Sequence, residues 1–235
     1  MGEIGMDAPN MINLKINGKY CIAFYLVIML YVSLHELVHH FAGYLICGDW
    51  GVKSFNYFET ACAETDKKQY LATYIGPLFT YLMMYVGMHF LRPSTSNYLK
   101  HLGFAIIFAQ LPFQRMTGPI FGFNDEYFAT ARLFGGSMTN QLIVTIILFG
   151  ICIPPLIKAY QVIGNKRRLL WFLWYFLLFP YLIWGPFFGG LEYLMVNRGV
   201  LNQQFIGIGL LFIINEVVTI GGHLLTKRWI EPIRT

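Results

Sequence analysis

His35-Glu36-Leu37-Val38-His39 sets two imidazoles four residues apart with a carboxylate beside the first. In an α-helix, residues four apart lie about 40° apart around the axis and one turn up. Both rings can therefore direct a nitrogen at one zinc ion, which binds imidazole nitrogen at about 2.0–2.1 Å and leaves room for a third protein ligand and a water. Zinc lowers the pKa of that water to about 7, and Glu36 is placed to take its proton. The chemistry that follows is metal-assisted amide hydrolysis. The competing reading is that His35, Glu36 and His39 only make hydrogen bonds between helices.

The motif lies inside an apolar run from about Tyr20 to Cys47. Ionisable groups in a membrane helix cost roughly 2.5–3.5 kcal/mol each by insertion scales, so they are functional candidates by default. The whole chain has the composition of a membrane protein. Of its 235 residues, 56% are hydrophobic, 17% aromatic and only 12% charged, against about 25% charged in a soluble domain. Basic residues are gathered in short connections such as Lys166-Arg167-Arg168 and Lys227-Arg228. With so apolar a chain, they mark loop anchoring and topology and give no indication of nucleic-acid binding.

Six apolar segments are expected: about 20–47, 70–91, 98–112, 141–163, a broken stretch from Leu169 around Pro180, Gly185 and Pro186, and 205–225. A spanning helix needs about 20 apolar residues, so the third and fifth are the least regular. No cleavable signal peptide is read in this sequence. The expectation is one all-α integral membrane domain over residues 1–235, multi-pass, with about six transmembrane helices. Cys21, Cys47, Cys62 and Cys152 form no CxxC pair, which argues against a thiolate metal site. Cys21, Cys47 and Cys152, in or beside apolar runs, read as packing residues.

The elements that must position the motif are the next two segments. With three segments in up-down-up order, the second half of the first, the first half of the second and the end of the third share one face. That face holds Gly76-Pro77 and the connection containing Asn124, Asp125 and Glu126. Asp125 is a hard oxygen donor suited to be the third metal ligand, and Glu126 is the next candidate. Gly76 allows close helix approach, and Pro77 loosens the helix backbone. Asn124 is a candidate oxyanion or substrate contact, or else holds a turn. The run Val52–Glu59 alternates as a strand does. The basic residues weigh toward both termini lying inside, which puts the motif face outside.

His35, Glu36, His39 and the Gly76-Pro77 pair resemble the site-2 proteases, a family of intramembrane zinc metalloproteases. The resemblance covers about residues 20–136 as a three-helix catalytic core and leaves 137–235 as additional helices. It implies Zn2+ held by His35, His39 and an Asp, here Asp125, with Glu36 as general base. It also implies a membrane-associated β-hairpin after the first core helix, matching 51–68, and an active site near the cytosolic face, opposite to the charge reading. The third family motif is only partly matched: Pro112, Pro119 and Asp125 are present with stretched spacing, and Glu126 stands where the family has glycine.

Other zinc or iron patterns fit less well. His40 extends the motif to HELVHH, as in membrane di-iron enzymes, but His89, His101 and His223 each stand alone. Glu216 resembles the later-helix glutamate of CAAX-processing metalloproteases without its flanking pattern. The function expected is therefore hydrolysis of peptide bonds in transmembrane or membrane-bound protein substrates, within the lipid bilayer and without nucleic acid. The alternatives are a catalytically inactive zinc-binding scaffold or regulator, and a transporter using intramembrane His and Glu.

Overall fold

The computed structural model describes residues 11–231, apart from the side chains of 183, 184 and 186. The chain runs α1 (Gly18–Cys47), β1 (Val52–Lys53), β2 (Phe58–Glu59), α2 (Gln69–Phe90), α3 (Asn97–Ala109), α4 (Pro112–Thr117) and α5 (Asp125–Phe134). It continues with α6 (Met138–Val162), α7 (Arg168–Leu173), α8 (Phe179–Glu192), β3 (Gln204–Phe205), β4 (Ile208–Gly209) and α9 (Leu210–Thr226). Among the described residues, five helical stretches are long and apolar enough to cross a membrane: Gly18–Cys47, Gln69–Phe90, Met138–Val162, Arg168–Asn197 and Leu210–Trp229. The third apolar run forms α3, whose 13 residues extend only about 20 Å at 1.5 Å per residue. That is short of the roughly 30 Å hydrocarbon thickness. The fifth run keeps helical winding past Pro180 and widens into π-helical turns at Trp174–Leu178 and Tyr193–Asn197.

Helix α1 is the central element and packs against α2, α3, α8 and α9. Its start is fixed by Asn17, whose side chain accepts from the Tyr20 amide, and its end by Gly48 at φ 80°, a left-handed cap that glycine adopts without steric cost. Phe24 of α1 sits among Phe104, Tyr175 and Phe179 at ring-centroid distances of 6.3, 4.8 and 5.3 Å. Helices α2 and α3 approach at Gly87 and Gly103, where a Cβ on either would meet the other's carbonyl oxygen at 2.7 or 2.6 Å. Small residues allow this backbone proximity, which is how helices gain contact where lipid removes the hydrophobic drive.

The four two-residue strands form one sheet in the order β2-β1-β4-β3. β1 and β2 pair antiparallel through Val52–Glu59 and Lys53–Phe58, as the alternating run suggested. The parallel pairing of β1 with β4 through Lys53 and Ile208 ties this hairpin to the segment before α9. Phe55 then packs with Phe188 and Phe212, so the last helices buttress the hairpin. One expectation for the cysteines is corrected. Cys47 is not a packing residue, because it is disulfide-bonded to Cys62; Cys21 and Cys152 are free. A pairing across fifteen positions has no local sequence signature.

Candidate metal centre

His35 and His39 lie in the second half of α1, where both are buried. The third group arrives from 90 residues along the chain. Leu111, in a left-handed conformation at φ 52°, turns the chain sharply from α3 into α4. The Tyr181 hydroxyl accepts from the Gln114 amide at 2.8 Å and pins that turn. Asn124 then caps α5, its Oδ1 accepting from the Tyr127 amide at 3.0 Å. The cap is a favoured one, and it places Asp125 at the first helical position, beside the histidines.

His35 Nε2 and His39 Nε2 are 3.0 Å apart. Asp125 Oδ2 lies 3.2 Å from the first and 3.6 Å from the second. Ligands at tetrahedral angles and about 2.05 Å from one zinc ion are about 3.3 Å apart, so the three spacings straddle the required value. The far sides of the rings are also committed. His39 Nδ1 donates to the Ala72 carbonyl at 2.9 Å, and His35 Nδ1 is 2.8 Å from Thr80 Oγ1. A neutral ring that donates from Nδ1 carries its lone pair on Nε2, the tautomer that metal ligation needs. Two imidazole lone pairs and a carboxylate oxygen thus converge, and such a group could hold a metal ion.

Gly76 explains how the rings come so close to α2. A Cβ there would sit 2.2 Å from His39 Nε2 and 2.4 Å from its Cε1. Gly76, expected with Pro77 as core packing, therefore abuts one of the ligand atoms itself. On the other side, Phe58 of β2 stacks on the His39 ring, with centroids 4.5 Å apart and planes 7° from parallel.

The centre opens into a cavity of about 580 Å³. Glu36, Asn124, Asp125 and the β2 segment Asn56–Thr60 all line it. Two further residues that the sequence did not single out are Arg115 and Lys53. Arg115 donates to Asp125 Oδ2 at 2.8 Å and to His35 Nε2 at 2.9 Å. Lys53, fully buried, holds its ammonium 3.8 Å from Glu36 Oε2. Burial pushes the Lys53 amine below the usual lysine range, and Glu36, Glu192 and Glu216 oppose that shift. For Asp125, burial favours the protonated form, but its contacts with His35 and His39 and the Arg115 charge outweigh it. Its carboxyl is held well below the usual range.

Glu126 is turned away from the centre. Its carboxylate accepts from the Tyr81 hydroxyl and lies 3.5 Å from Arg115. Glu216 accepts from Ser33 at 2.6 Å and stands outside the cluster, and His40 donates to the Ile206 carbonyl at 2.9 Å. Asn124 is both a cap and a wall residue; its Nδ2 is buried without a hydrogen-bond partner among the described residues, so the amide expected as an oxyanion contact is not exposed to the cavity. Neither Arg115 nor Lys53 belongs to a spacing pattern. The only signal for either was a basic residue in an otherwise apolar or alternating stretch near the motif face. No protein-family model, curated protein sequence or solved structure matches this chain.

Proposed function

We propose that the chain is an intramembrane zinc metalloprotease of site-2 type, hydrolysing peptide bonds in transmembrane or membrane-bound protein substrates. The observation that carries this reading is the spacing of His35 Nε2, His39 Nε2 and Asp125 Oδ2, near that of a tetrahedral site, in one cavity with Glu36. Zinc, held by His35, His39 and Asp125, supplies Lewis acidity and makes water a nucleophile near neutral pH.

The chain's own residues supply the rest. Glu36 takes the proton of the attacking water and delivers it to the departing amine, a role worth about 10²–10⁴-fold. Lys53 pairs with that carboxylate and keeps it directed into the cavity. Arg115, in the same wall, is a donor for the carbonyl oxygen as it gains charge. β2 is the outer strand of its sheet, and its residues line the cavity. An unwound substrate segment can add to that edge by main-chain hydrogen bonds. Unwinding is required because helical amides in lipid are already satisfied.

The test is cleavage of transmembrane peptides by the purified protein in detergent or vesicles. Wild type is expected to cut, and Glu36→Gln to retain one metal per chain with cleavage reduced at least 100-fold. Cleavage at the wild-type rate by Glu36→Gln would refute the proposed chemistry.

A further inference from the structure

We infer that the metal-centre cavity opens on the non-cytosolic, oxidising side of the membrane, the reverse of the cytosolic placement that the site-2 resemblance implies, so that its substrates are peptide segments presented at that boundary. The two ends of the bundle are distinguishable by contacts. At one end, Ile12 bridges to Ile163, Lys15 pairs with Glu231 at 2.9 Å, and Lys19 lies over Trp229. At the other end lie the sheet, the start of α2, the cavity and the loop before α9. Helix α3 carries the chain between them: His101 near its start meets the Tyr20 hydroxyl at 3.2 Å, and Ala109 at its finish lines the cavity.

Two independent properties separate these ends. The Cys47–Cys62 disulfide is at the cavity end, joining the last residue of α1 to the segment after β2. Disulfides persist in oxidising compartments and are rare where thiols are kept reduced. The unpaired cysteines lie elsewhere: Cys21 in the first turn of α1 at the opposite end, and Cys152 buried within α6.

Basic residues give the same sign. The opposite end carries the Lys166-Arg167-Arg168 and Lys227-Arg228 groups, next to the ends of spanning helices. Two basic residues of the cavity end, Lys53 and Arg115, point into the protein. Lys67, Lys68, Arg132 and Arg198 remain there as surface charges. Lysine and arginine are in excess on the cytosolic side of membrane proteins, so the cavity end is the external one. The statement about substrates rests on the protease reading above; the orientation does not.

The experiment labels single cysteines in the full chain in sealed cells with a membrane-impermeant maleimide, in a Cys21→Ser, Cys152→Ala background. Asn202→Cys and Met138→Cys report the cavity end; Ser94→Cys and Lys166→Cys report the other. The first pair is expected to label without permeabilisation and the second only after it. In parallel, unmutated protein trapped in acid is expected to gain two maleimide-reactive thiols on reduction under denaturing conditions. Reversed labelling, or Cys47 and Cys62 already reactive before reduction, would overturn the orientation. Neither result touches the metal and cleavage assays, so the two readings fail separately.

Discussion

Replacing Gly76 with alanine adds one methyl group, and the structure specifies what it strikes. The new Cβ would stand 2.2 Å from His39 Nε2, and ordinary contact begins near 3.4 Å, so the ring or the helix must retreat by about 1.2 Å. Metal–ligand distances tolerate only about ±0.2 Å, which makes the displacement several times larger than the bond allows. Loss of an outer partner alone costs about 10–100-fold in metal affinity; moving a ligand itself is expected to cost at least the upper end of that range. The assay is competition for zinc against a chelator of known affinity, with metal content measured on the purified protein. Gly150→Ala is the control, because a Cβ there meets nothing within 4 Å, and wild-type affinity is expected. If Gly76→Ala binds zinc as tightly as wild type, the packing of His39 against α2 cannot be what sets the ligand position.

Further expectations follow from the same geometry. Asp125→Ala should lose stoichiometric metal whereas Glu126→Gln should keep it, because only Asp125 faces both imidazoles; metal content of the two purified variants decides. Thr80→Val removes the partner of His35 Nδ1 and should weaken zinc by about 10–100-fold, read by the same chelator competition. Arg115→Gln releases His35 Nε2 and Asp125 Oδ2 from the guanidinium. It should bind zinc no more weakly than wild type yet cleave about 10²–10³-fold more slowly; loss of metal instead would assign Arg115 a purely structural role.

The parts of this molecule that were legible in the sequence are those written in local periodicity. His35 and His39 are one helical turn apart, so their convergence needs nothing beyond α1. The four long apolar runs likewise became spanning-length helices, and Val52–Glu59 paired as strands. What stayed hidden was long-range. Thr80 meets His35 across 45 positions and Arg115 across 80, and no spacing rule connects them. Lys53 reads as one polar position in an alternating strand. Its burial follows from the parallel pairing with β4, which only the folded chain brings about. The choice between Asp125 and Glu126 was open for a related reason. Both are acidic and adjacent, and the Asn124 cap decides which of them begins α5 on the cavity side.

The central claim is a single zinc ion bound by two imidazoles and one carboxylate. X-ray absorption at the zinc edge of the purified, active protein tests it most directly. The spectrum should show one zinc per chain with only nitrogen and oxygen neighbours, near 2.0–2.1 Å, and the imidazole signal should diminish in His39→Ala. A zinc-free wild-type protein, or a sulfur neighbour near 2.3 Å, would contradict the account.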